Sequence, residues 1–350
     1  MNNDEKQLFQ LAKKFYQQKL WQEIPPSQLI AVQFPYMKGP AFVSIVGQEE
    51  ENRGLLVYRS IEEVACFFET HQWSTEKNEL SPFQVLANHS CLALLFIDRE
   101  ELTPVEYKRV KASGVTFRGK KAWPVFSEYT LGYVPGEVAQ TDQQLLCDIL
   151  FQLTSEENFK QRAQRYKEKL NDFQLPYKIY REDGQMEELV YSLPIDKITG
   201  AIRDDKKVEP ILVSPFEVER AKRLPVGDVL WEVDLQYVNQ PIKSEIGERA
   251  AFPSLLLIGN PIKQEVLETE VLFQKEAEHL QRSLIQNMIA ENMRPPQIAI
   301  EGRQMTRLLP MMKALLKDIQ VDYLIVEAVP FLTVVKETLR EKIDGTEDDV

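Results

Sequence analysis

The most constraining part of this sequence is its C-terminal stretch, where the hydrophobic period switches three times across four segments. Gln297 to Glu301 is a short apolar run, and Arg303 to Lys317 places Met305, Leu308, Leu309, Met312, Leu315 and Leu316 at three-to-four spacing. Asp322 to Glu327 is a second apolar run, and Phe331 to Ile343 is amphipathic again. The pattern predicts strand, helix, strand, helix, with parallel strands and a right-handed crossover. Two adjacent parallel strands would bring Glu301, Gly302 and Glu327 to one edge. Upstream, Ile211 to Val213, Val229 to Tyr237, Leu255 to Ile258 and Val266 to Phe273 read as strands, and Glu276 to Met293 as a long helix. The turn Gly259-Asn260-Pro261 joins the last two strands into a hairpin of the same sheet. Residues 175–344 are therefore expected to form an α/β domain with a mixed sheet and helices on both faces, followed by an acidic tail at 345–350.

The N-terminal half reads differently. Leu8, Leu11, Ala12, Phe15 and Tyr16 give an amphipathic opening helix that stops before Pro25-Pro26. Leu29 to Phe34, Ala41 to Val46 and Leu55 to Tyr58 read as an antiparallel meander. Ser60 with Glu63 is a capping box for a second helix, and Thr103-Pro104 with Glu106 starts another. Cys91 to Ile97 is apolar at consecutive positions, as a strand covered on both faces requires. Residues 1–140 are expected to be an α+β domain built on an antiparallel sheet. Residues 141–174 are expected to be a helical connection, including the charge-laced stretch Glu156 to Asp172. The fold class is α+β.

Composition excludes several functions. A net charge of −12 repels a phosphate backbone, so general coating of nucleic acid is disfavoured. Cys66, Cys91 and Cys147 have no C-x-x-C spacing and are too few for a disulfide framework, which fits a reducing cytoplasm. The N-terminus lacks the basic and apolar regions of a signal peptide, and Cys91 to Ile97 is far too short to span a membrane.

Three constellations could carry chemistry. Gly114 to Lys121 matches G-x-x-x-x-G-K, but Lys121 stands where a phosphate loop needs Ser or Thr for magnesium, and Trp123-Pro124 follows where a helix should begin. Lys108, Arg109, Lys111, Arg118, Lys120 and Lys121 form a basic run beside Phe117 and Trp123, a candidate anion site or else a solvated helix end and edge strand. Glu301 and Glu327 at strand ends could share a divalent metal, or could instead balance the dipoles of the helices that follow. The three histidines, His71, His89 and His279, have no ligand spacing.

The order of strands and helices in roughly the last hundred residues is similar to the ribonuclease-H-like or integrase core. That resemblance places the first-strand acid near Asn260, which is no carboxylate, the second at Glu301 and the last-helix acid at Glu337. In the N-terminal half, Trp123-Pro-Val-Phe126, Gly132-Tyr133-Val-Pro135, Gly47 and Gly54 to Tyr58 resemble a domain of unknown function from uncharacterised bacterial proteins. Phe252-Pro253-Ser254 and Arg294 to Glu301 resemble its usual companion domain. The resemblance implies a two-domain bacterial cytoplasmic protein and no known activity. The expected function is a non-enzymatic binding or regulatory protein with no cofactor and no membrane, its partner a protein or a second copy. The alternative is a metal-dependent nucleic-acid processing enzyme with Glu301, Glu327 and Glu337 as catalytic carboxylates and a divalent metal on Glu301 and Glu327.

Overall fold

The computed structural model describes residues 3–47, 53–75, 82–155, 174–194, 208–243, 249–273 and 275–344. Contacts divide the chain into two units, Met1–Thr199 and Gly200–Val350. The expected helix at Glu156 to Asp172 and the tail at 345–350 lie outside the described residues.

The first unit runs α1 (Asn3–Gln18), β1 (Ile30–Gln33), β2 (Ala41–Val46), β3 (Arg53–Tyr58), α2 (Ile61–Thr75), α3 (Pro82–Ala87), β4 (Cys91–Ile97), α4 (Pro104–Ala112), β5 (Trp123–Tyr129), α5 (Gln140–Ser155), β6 (Gln174–Tyr180) and β7 (Met186–Ser192). Its described strands form one sheet in the order β5-β4-β3-β2-β1-β6-β7. The meander is present, with Ile30 opposite Val43 and Phe42 opposite Tyr58. The sheet departs from the antiparallel expectation in one pair: β6 runs parallel to β1, with Ala31 opposite Tyr177. Parallel neighbours need a long connection, and most of the unit lies between these two strands. That pairing puts 174–192 in the first unit, whereas the sequence division begins the C-terminal domain at 175. Helix α5, expected in the connection, buries Leu146, Ile149 and Leu150 in the first core.

Periodicity explains which faces are covered. Alternate strand residues such as Val43, Leu55 and Leu94 pack under Phe15 of α1 and Leu150 of α5, while Phe42 and Tyr58 face Val64 and Phe67 of α2. Each fully buried side chain of this size stabilises the unit by about 1.5–3 kcal/mol, so Phe15→Ala should be among its most damaging single changes.

The second unit runs α6 (Pro215–Lys222), β8 (Trp231–Tyr237), β9 (Ser254–Asn260), β10 (Glu265–Leu272), α7 (Glu276–Ala290), β11 (Gln297–Glu301), α8 (Met305–Asp318), β12 (Asp322–Val326) and α9 (Pro330–Asp344). The strand order is β10-β9-β8-β11-β12. β11 is parallel to both β8 and β12, while β9 is antiparallel to β8 and β10, so the sheet is mixed. The turn after β9 closes because Asn260 Oδ1 accepts hydrogen bonds from the backbone N–H groups of Ile262 (3.2 Å) and Lys263 (3.0 Å). The expected strand at Ile211 to Val213 does not form. Its backbone is satisfied by buried Gln281, whose amide accepts from Leu212 N and donates to the Pro210 carbonyl.

Trp231, Val233 and Leu235 of β8 pack with α7 and α8 on one face, and Leu257 and Ala299 pack with Leu332 of α9 on the other. Gly259 sets how closely α9 approaches. A Cβ there would lie 2.7 Å from the Phe331 ring and 2.8 Å from the Leu332 side chain, so any larger residue would have to displace these two side chains of α9.

Candidate functional site

The crossing of α9 over β8 and β11 produces a buried charge cluster in the second unit. Strand alternation sends Trp231, Val233 and Leu235 to the α7 and α8 face, which leaves Glu232 and Asp234 under α9. β8 and β11 pair with Ile300 opposite Val233, so Glu301 follows immediately beside Asp234. Lys336 of α9 reaches down between them. Its Nζ lies 3.2 Å from Asp234 Oδ2 and 4.0 Å from Glu301 Oε2, and the three side chains are 7%, 0% and 8% exposed. Among the described residues neither oxygen of Asp234 accepts a hydrogen bond, and the ammonium is the charge that faces this buried carboxylate. Glu232, one residue away on the same strand, has a different partner: its carboxylate accepts from the backbone N–H of Leu332 at 2.9 Å and of Phe331 at 3.5 Å. It thereby satisfies the N-terminal donors of α9 and fixes the helix over the cluster.

The sequence-predicted residues separate here. Glu301 is in the cluster. Glu327 is the first residue beyond β12 and is exposed, and Glu337 is exposed on α9. A helix turns about 100° per residue, so the position that points at the sheet belongs to Lys336 and its neighbour Glu337 faces outward. Asn260 is not on the strand beside β11: that strand is β8, which carries Asp234, whereas Asn260 ends β9. Among the described residues no group of three or more His, Cys, Asp or Glu is arranged to hold a metal ion.

In the first unit, the basic run is dispersed by its local structure. Arg109 pairs with Glu5 at 2.9 Å, Lys121 with Glu101 at 3.6 Å, and Lys111 lies over the Tyr107 ring. Lys108, Arg118 and Lys120 are exposed, and Phe117 is buried in the core. The Gly114 to Lys121 segment is a turn with positive φ at Gly114 and Gly119, and it leads into β5 without a helix.

Sequence reading missed a second polar cluster, at the ends of β3 and β5. Arg59 binds Glu63 (2.6 Å), Glu128 (2.8 Å) and Asp142 (2.9 Å), tying α2, β5 and α5 to one guanidinium. Next to it the buried Tyr58 hydroxyl lies 3.0 Å from His89 Nε2. Burial lowers the His89 pKa to about 4 and raises that of the Tyr58 phenol, so the imidazole is neutral at pH 7.

Residues 6–175 match the family model Domain of unknown function (DUF7309), and residues 217–340 match Domain of unknown function (DUF6930). The chain fits an uncharacterised two-domain family. No curated protein matches it. Within the described residues no helix is long and apolar enough to cross a membrane.

Proposed function

We propose that this two-domain protein is a non-enzymatic binding or regulatory protein of the cytoplasm. In this reading the DUF6930 unit carries a ribonuclease-H-like sheet in which an internal lysine stands where an enzyme of that shape would hold its metal. The observation that carries it is Lys336 Nζ, 3.2 Å from Asp234 and 4.0 Å from Glu301. Metal-assisted phosphodiester hydrolysis needs neighbouring carboxylates turned onto a divalent ion with oxygens at about 2.0–2.6 Å. A tethered ammonium fills the same electrostatic minimum, but it cannot open a coordination position to a phosphoryl oxygen or to water. The fold part rests on the strand order β10-β9-β8-β11-β12, with the two acids on the adjacent parallel strands β8 and β11. Cys66, Cys91 and Cys147 are thiols, which suits a reducing compartment.

The test is cleavage of single- and double-stranded DNA and RNA by the full-length protein with magnesium or manganese. No turnover is expected. Metal-dependent cleavage that disappears in both Asp234→Asn and Glu301→Gln would overturn the proposal and establish the enzyme reading.

A further inference from the structure

The two edges of the second-unit sheet are built differently. β10 shifts register between Val266 and Glu268 and carries Glu265, Glu268 and Glu270 along its length. Bulges and charges of this kind discourage a further strand from adding. β12 has neither. Its sequence, Asp-Tyr-Leu-Ile-Val, contains no proline and no charge after its first residue, and among the described strands it pairs on one side only, with β11. Tyr323, Leu324 and Ile325 are 41%, 42% and 37% exposed, so consecutive apolar residues on both faces of the strand meet solvent. Even the edges of the first-unit sheet are guarded, β5 by Pro124 and β7 by Glu187 and Glu188.

We infer that β12 is a docking edge for an extended segment of another protein, one with an apolar centre and basic residues at both ends. The added strand would take its hydrogen bonds from the open side of β12 and lay alternate side chains beside Tyr323 and Ile325 on one face and Leu324 on the other. Charge selects the partner. Asp322 and Glu327 stand exposed at the two ends of the strand, and neither forms an ion pair among the described residues. A second copy, paired antiparallel about Leu324, would set Asp322 of each chain opposite Val326 of the other and one residue from its Glu327, which gathers four carboxylates at the two ends without a counter-charge. A partner with Lys or Arg about five positions apart neutralises both carboxylates. This inference stands on residues outside the Lys336 cluster, so nuclease activity would overturn the proposed function and leave it intact.

The experiment uses the full-length protein and two labelled peptides, KVTVTK and EVTVTE, with binding read by fluorescence anisotropy and the edge read by amide hydrogen exchange. KVTVTK should bind at roughly millimolar concentration or below, about tenfold more tightly than EVTVTE, and should slow exchange over 322–326. The double variant Asp322→Lys with Glu327→Lys changes two exposed side chains, and it should reverse the preference. Three results would overturn the inference: no binding of either peptide at millimolar concentration, a preference that the double variant leaves unchanged, or a protein dimer that protects the edge and excludes both peptides.

Discussion

Arg59 in the first unit and Lys336 in the second each stand among several carboxylates, and the two arrangements have opposite logic. Arg59 in the first unit is 27% exposed, and its planar fork makes direct hydrogen bonds to Glu63, Glu128 and Asp142, whose side chains keep 13–23% of their surface in solvent. Such a group can lose one partner and rehydrate. Lys336 in the second unit is 7% exposed and faces a fully buried aspartate that has no hydrogen bond among the described residues and a glutamate 4.0 Å away. A buried carboxylate with no hydrogen bond depends on its counter-charge alone, and a point-charge ammonium supplies that at the expense of geometric precision. The first arrangement is a staple between three elements. The second is a buried ion cluster that turns on one internal ammonium.

The largest effect should therefore come from breaking the second cluster. Lys336→Met strands the buried Asp234 carboxylate and removes a neighbouring positive charge from Glu301, which should cost about 3–5 kcal/mol, read as a lowered urea midpoint of the full-length protein. Adding Asp234→Asn and Glu301→Gln to the same variant removes the uncompensated charge and should recover most of that loss. If the triple variant is as unstable as the single one, packing of the lysine stem, not its charge, is what holds α9 to the sheet.

How much of this was legible depends on what each residue had to satisfy. The terminal β-α-β-α unit was readable because its helices and strands carry unbroken periodicity: β11 and the helices α8 and α9 fall within two residues of expectation. Glu301 was found because strand ends are where acids are sought. Asp234 was not, since Trp-Glu-Val-Asp-Leu-Gln at 231–236 alternates as a strand with one wet face does. Only the sheet order, which makes β8 the central strand under α9, shows that both faces are dry. Lys336 had no signal either, because a single lysine on a polar helix face is ordinarily solvated. The parallel pairing of β6 with β1 was equally hidden, as pairing across most of a unit leaves no local trace.

The next largest effect separates the units by pH. His89 is buried against Tyr58 and Tyr129, with Cys91 nearby on β4. Its folded pKa of about 4 lies below the ordinary 6.5, so the unfolded chain takes up a proton first as pH falls. Stability contributed by the neutral ring is intact above pH 6.5 and is lost progressively down to about pH 4, a change of about 3 kcal/mol. His89→Gln keeps an acceptor for the Tyr58 hydroxyl but cannot titrate. Its urea midpoint should lack this component of the acid-side loss, and an unchanged pH profile would assign the loss to other groups.

Breaking the Arg59 staple should cost less than breaking the Lys336 cluster. Arg59→Met removes charged hydrogen bonds from carboxylates that can still reach water, so about 2 kcal/mol is expected in chemical denaturation. A loss equal to that of Lys336→Met would mean that exposure does not distinguish the two clusters.

The smallest effect should come from the basic run of the first unit. Of its six cations, Arg109 and Lys121 are held by Glu5 and Glu101, and Lys111 sits on the Tyr107 ring. That leaves Lys108, Arg118 and Lys120 exposed without an acidic partner among the described residues, while Phe117 is buried and cannot stack on a base. Three cations released onto single-stranded nucleic acid would give a log-log salt slope of only about −2, working against a chain whose net charge is −12. Elution from a single-stranded DNA column should therefore come at low salt, and charge reversal of Arg118 and Lys120 should move it little. A steeper slope that collapses on that reversal would show that these exposed cations act together, and would turn the contrast between the units from staple against buried ion cluster into anion site against buried ion cluster.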